Sequence, residues 1–142
     1  MGSASVHSGG VVRCPRNEAF SDRLARLHGT VSDIVQRVQP DIAAVESPFY
    51  GVSAKSSIQL AQARGAILAA VAAAGVPVAE YAPASVKKSI AGDGRADKDR
   101  VREMVVRLLR FEAEGAPDDL FDAAAVAWCH LGHASLQGAL SR

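Results

Sequence analysis

The stretch "PDIAAVESPFY", residues 40–50, carries both a fold signal and a chemical one. Pro40 cannot continue a helix, and Ile42, Ala43, Ala44 and Val45 then run without a polar residue until the chain meets one carboxylate, Glu46. Pro48 and two aromatics follow at once. A short apolar run between prolines, with few polar residues on either face, reads as a strand over 41–46 covered on both sides, as in a central parallel strand. In open α/β sheets ligands gather beyond the carboxyl ends of the strands, which is where Glu46 falls.

Working outward, Leu24, Leu27, Val31, Ile34, Val35 and Val38 recur at spacings of three and four and predict a helix from Ser21 to Val38. Ser21 is its expected N-cap and Pro40 its stop. On the other side, a helix is expected over 54–74, closed by Gly75 in the left-handed conformation. Its small residues Ala61, Ala63, Gly65, Ala66, Ala69 and Ala70 would let it lie close to a sheet. "VPVAEYA", residues 76–82, predicts a second parallel strand, again ending near a carboxylate, Glu80. "PASVKKSI" then predicts a short helix, "AGDGRA" a turn, and 97–110 a helix with the core stripe Val101, Met104, Val105, Leu108 and Leu109. A last helix is expected from Pro117 to about Leu131, with Asp118 and Asp119 at its positive end. Upstream, "VHSGGVVR", residues 6–13, offers one more strand. This alternation is that of an α/β domain with crossovers, although the sheet is thin for so many helices.

With 142 residues, 49% hydrophobic and 22% charged, the chain is expected to form one domain with a substantial core. Its longest apolar stretch, "GAILAAVAAAGVPVAEYA", is mostly alanine and is broken by Gly75 and Pro77, unlike a bilayer span of about 20 strongly apolar residues. "MGSASVHSGG" lacks the charged start and apolar middle of a secretory leader. Cys14 and Cys129 are isolated thiols, which fits a reducing, cytoplasmic setting. The net charge is only +1, yet residues 87–110 concentrate Lys87, Lys88, Arg95, Lys98, Arg100, Arg102, Arg107 and Arg110 against fewer acids. Such a segment is either a solvated helix face or a phosphate-binding surface.

One carboxylate does little, but two to four that converge can hold hard divalent cations, and two such ions can activate water for phosphodiester hydrolysis. "APDDLFDAAAVAW", residues 116–128, supplies partners for Glu46. Asp119 and Asp122 are three apart and Asp118 and Asp122 four apart, so either pair shares a helix face and geometry leaves the choice open. Acids are ordinary in a first helical turn; Asp122, between Phe121 and an alanine run, is less easily explained by solvation. "CHLGH", residues 129–133, brings Cys129, His130 and His133 together, but three donors without a fourth are read as ordinary side chains.

The order "AAVESPF", "LAQARGAILAA", "VPVAEYAPASVKKSIAGDGRADKDRVREMVVRLL" and "PDDLFDAAAVAWCH" resembles the RuvC family of Holliday-junction resolvases, from about Val11 to His130. "QARG", "EYAPxxVK" and "GxGRADKxxV" are its most specific parts. The resemblance implies a ribonuclease H-like fold, a mixed α/β sheet with flanking helices. It further implies a homodimer that nicks two symmetric strands of a four-way DNA junction with Mg²⁺, two ions in the complete site and Mn²⁺ as a substitute, alongside a junction-binding, branch-migrating helicase complex. By motif, Glu46, Asp119 and Asp122 resemble the catalytic metal-binding acids. Phe49 resembles an aromatic that stacks on a base at the junction centre, and Lys87 and Lys98 resemble DNA-contacting lysines.

The chain departs from the family pattern at its front. Family members open on a strand bearing an Asp in a "D-P-G" context, whereas "SGGVVR" here resembles the third strand, so the first two strands, roughly 25–30 residues, are expected to be missing from the sequence as given. A truncated start is the expected cause, with a degenerate, non-catalytic branched-DNA binder or an unstable remnant as the alternatives. Ser53 replaces the usual Asn, and Ala84 and Ser85 stand where Arg and Gln are common.

Overall fold

The computed structural model describes residues 4–48, 53–111 and 115–140. The elements run α1 (Phe20–Val38), β1 (Ala43–Glu46), α2 (Ala54–Ala73), β2 (Val78–Tyr81), α3 (Pro83–Ala91), α4 (Lys98–Leu109) and α5 (Asp118–Leu140). β1 and β2 form a two-stranded sheet. The Ala43 N–H donates to the Pro77 carbonyl at 2.9 Å and the Ser47 N–H to the Tyr81 carbonyl at 2.8 Å. The register advances equally along both strands, so the pair is parallel, as expected, and each strand is shorter than its apolar run.

The chain divides into two compact units: Val12–Ala43 with Pro48–Ala79, and Met1–Val11 with Ala44–Ser47 and Glu80–Arg142. In the first, α1 packs on α2, burying Val35, Ala70 and Val71. α1 starts one residue early: the Ala19 carbonyl accepts the first helical bond from the Arg23 N–H at 3.1 Å, which leaves Ser21 inside the first turn rather than at the cap. The helix stops because Pro40 disfavours helical geometry in the residue before it, and Gln39 turns left-handed at φ 48°. α2 is capped by the Ser53 hydroxyl, which accepts from the Ser56 N–H. It ends in a Schellman motif, with Val76 N–H on the Val71 carbonyl, Gly75 N–H on the Ala72 carbonyl and Gly75 at φ 73°. Of its small residues Ala70 is buried, Ala63 and Ala66 are half-buried, and Ala61, Gly65 and Ala69 are exposed.

In the second unit a single apolar cluster joins Val86 and Ile90 of α3, Val101, Val105 and Leu109 of α4, and Phe121, Ala124, Ala125, Val126 and Cys129 of α5. Ala44 and Tyr81 pack on it from the strand ends. The expected α4 stripe holds, with Val101, Val105 and Leu109 buried and Met104 and Leu108 at its edge. Asp97 caps α4 by accepting from the Arg100 N–H at 2.8 Å. Pro117 precedes rather than opens α5, and the helix continues well past Leu131 because Gly132 alone is too weak a breaker to end it.

Residues 6–13 form no strand among the described residues. A strand is defined by a neighbour's N–H and C=O groups, and the sheet pairs only β1 with β2. The segment instead places Val6, with Ala4 just before it, on the apolar cluster and runs Gly9 against the Leu120 side chain, where a Cβ would collide.

Candidate active site

A cavity of about 190 Å³ in the second unit is lined by Glu46, Val86, Lys87, Lys98, Val101, Asp122 and Ala125. Four elements contribute to it. Glu46 ends β1 on the same face as Ala44, two residues back, whose side chain packs on the core cluster. Lys87 follows buried Val86 on α3 and is itself half-buried. Lys98 is the first residue of α4, fixed by the Asp97 cap beside it. Asp122 lies on α5 at the rim of the face that Phe121, Ala124 and Ala125 bury, so it stays exposed while the helix around it is anchored.

The electrostatics agree with this arrangement. Partial burial raises the Glu46 carboxyl above its ordinary value, the negative charge of Asp122 raises it further, and Lys87 opposes both. Two carboxylates and two ammonium groups therefore share one small space.

The remaining acids fall differently. Asp119, exposed one turn before Asp122, is not in the cavity lining. Asp118 has a carboxylate oxygen 3.6 Å from the guanidinium of Arg102, which also lies 4.3 Å from the centroid of the Phe121 ring. Arg102 thus grips the first turn of α5. In the sequence it was only one cation of a basic segment, and no local signal named its partners. That segment is now divided: Arg100 pairs with Glu103 at 2.9 Å, Arg102 with Asp118, and Lys87 and Lys98 face the cavity.

In "CHLGH" the three donors part company. Cys129 is fully buried, its thiol 3.8 Å from the Ser85 carbonyl oxygen, while His130 Nδ1 is 2.8 Å from the Tyr81 hydroxyl. The exposed His133 ring has its centroid 5.2 Å from that of Tyr81. Among the described residues no three His, Cys, Asp or Glu side chains are grouped to hold a metal ion. Phe49 lies outside the described residues.

Glu46 and Asp122 by themselves suit one hard cation. Mg²⁺ is commonly held by one or two carboxylates, with water and substrate phosphate oxygens completing the octahedron, and a like-charged carboxylate pair gains from a cation between its members.

Two solved structures match the fold of this chain. "T. thermophilus RuvC in complex with Holliday junction substrate" has a TM-score of 0.88 at 34% identity, covering 95% of this chain and 82% of that one. "Thermus thermophilus RuvC structure" has a TM-score of 0.85 at 34% identity, covering 95% and 81%. The fold is thus of the ribonuclease H-like class, a short α/β sheet with flanking helices. The family model "Crossover junction endodeoxyribonuclease RuvC" matches residues 2–130. Curated proteins of that description match from Moorella thermoacetica, 44% identical over 123 residues, and Oleidesulfovibrio alaskensis, 48% identical over 122. They cover 87% and 86% of this chain and 74% and 72% of their own lengths. The chain belongs to the RuvC family of crossover junction endodeoxyribonucleases, a family of metal-dependent nucleases.

Proposed function

We propose that this chain is a structure-specific endonuclease that resolves four-way (Holliday) DNA junctions by metal-dependent phosphodiester hydrolysis during recombination and repair. The observation that carries this reading is the convergence of Glu46, Asp122, Lys87 and Lys98 on one cavity.

Glu46 and Asp122 are the carboxylates that would hold Mg²⁺, with Asp119 one turn away as the third acid. Asp119 is preferred to Asp118 because Asp118 is engaged by Arg102. A bound divalent cation supplies the Lewis acidity that lowers the pKa of water and offsets charge on the phosphate; two ions would divide these roles. The chain itself binds and orients. Lys87 and Lys98 set two positive charges at the cavity rim, where they draw in the DNA backbone and neutralise the phosphate as negative charge builds on its oxygens. Arg102 and the core face of α5 keep Asp122 at a fixed height against the end of β1. Phe49, three residues beyond Glu46, is assigned to stacking on an unpaired base.

Two symmetric nicks require two sites related by a two-fold axis, so a homodimer is part of the proposal. Ile58 and Leu60, 60% and 61% exposed on the early turns of α2, are the most exposed large apolar side chains among the described residues and are offered to a partner. No helix among the described residues is long and apolar enough to cross a membrane. The proposal includes a cytoplasmic setting and a branch-migrating helicase complex as partner, as resolution of chromosomal junctions would require.

A labelled synthetic four-way junction tests the assignment against a linear duplex of the same sequence. Symmetric nicks confined to the junction support it, and binding without nicking in Mg²⁺ or Mn²⁺ replaces it with a non-catalytic branched-DNA binder.

A further inference from the structure

Glu46 and Asp122 come from different elements, so their separation depends on how α5 is held against the strand ends. One residue touches both sides. The Tyr81 carbonyl accepts the N–H of Ser47, the neighbour of Glu46, at 2.8 Å, and the Tyr81 hydroxyl hydrogen-bonds His130 Nδ1 on α5, also at 2.8 Å. His130 lies eight residues beyond Asp122, about 12 Å along the helix, so neither Tyr81 nor His130 reaches the cavity. Neither lines it.

We propose that Tyr81 and His130 are positioning residues that set the register of α5 against the end of β1, and so the spacing of Glu46 from Asp122. The proposal rests on the assignment of those two carboxylates as metal ligands. The covalent and hydrogen-bonded route is continuous: Glu46, the Ser47 N–H, the Tyr81 carbonyl, the Tyr81 hydroxyl, His130 and the α5 backbone back to Asp122.

Two further features fit this role. Tyr81 packs on the apolar cluster, and partial burial raises its phenol above the ordinary value. The Cys129 thiol, beside His130, rests on the Ser85 carbonyl, so α5 is fastened to the α3 segment at the same level. Arg102 holds the front of the helix at Asp118 and Phe121. Without the Tyr81 bond, α5 remains packed but is free to shift by a fraction of an ångström at the carboxylates. Displacements of about 1 Å in such sites cost roughly 100-fold in rate.

The test is calorimetric titration of Mn²⁺ alone into the DNA-free chain, with each variant held well below its own unfolding midpoint. Tyr81→Phe keeps the ring and removes the hydroxyl; His130→Ala removes the partner; His130→Asn restores a hydrogen-bonding atom near the Nδ1 position. Tyr81→Phe and His130→Ala are each expected to weaken Mn²⁺ binding by about tenfold, as loss of outer partners does at metal sites. The double variant is expected to be no weaker than either single one, and His130→Asn to stay within about twofold of wild type. Wild-type affinity in Tyr81→Phe, or losses that multiply in the double variant, would overturn the proposal. A wild-type chain that binds Mn²⁺ yet nicks no junction removes the proposed activity without touching this inference.

Discussion

Glu46 at the end of β1 and Asp122 on α5 face one cavity, and the charge of Asp122 adds to the burial that already raises the Glu46 carboxyl. Two acids, one raising the other's cost of ionising, thus face one cavity in the folded chain. This is the usual pattern of a functional site, where local stability yields to chemistry.

The repulsion has a pH signature. Glu46 ionises less readily folded than unfolded, so its contribution falls as pH rises from below its ordinary value of 4.5 through its raised folded value. Glu46→Gln removes that loss. In metal-free buffer the variant is expected to melt above wild type at about pH 7.5, with the gain vanishing by about pH 4. Thermal unfolding across that range checks it, and a gain that grows toward acid would refute the sign. Asp122→Asn is expected to move the Glu46 titration, followed by carboxyl NMR, part of the way down, since burial remains.

Lys87 and Lys98 are assigned to phosphate contact, and that role is legible in salt dependence. Lys87→Ala and Lys98→Ala are each expected to weaken junction binding and to make the slope of log affinity against log salt shallower by about 1. Fluorescence anisotropy over a salt series measures both. An unchanged slope would mean that the ammonium group does not meet a phosphate.

Arg102 should matter for the fold more than its exposure suggests. It pairs with Asp118 and covers Phe121, contacts worth together about 1 kcal/mol at a partly exposed site. Arg102→Ala is expected to lose about that much in denaturant unfolding and Asp118→Asn less, since the ring contact survives. Equal losses would assign the effect to the ion pair alone.

The sequence made some of these features visible and hid others for physical reasons. The helix α1, Gly75 and the strand into Glu46 were readable as local patterns, but their burial was not. Of the six α1 stripe residues only Val35 is buried, Ile34 and Val38 are exposed, and no residue of β1 is fully buried. Asp122 stood out because a charge beside an alanine run conflicts with burial. Helix spacing left Asp118 and Asp119 open and only the family motif favoured Asp119; the contact of Asp118 with Arg102, sixteen residues upstream, had no local signature. Tyr81 and His130, 49 residues apart, were invisible as a pair because their contact arises only when α5 folds onto the strand ends. Residues 6–13 carry strand-like composition without a pairing neighbour, and Ser21 was displaced as a cap by a single early helical bond.

The most direct measurement is single-turnover nicking of a synthetic four-way junction in saturating Mg²⁺, wild type beside Asp122→Asn, with junction affinity measured on the same preparations. Wild type is expected to nick symmetrically. The variant is expected to be at least about 100-fold slower with unchanged affinity, since even the outer partners of metal ligands cost roughly 10–100-fold. Nicking by Asp122→Asn at the wild-type rate, or junction binding by wild type with no nick, would contradict the account.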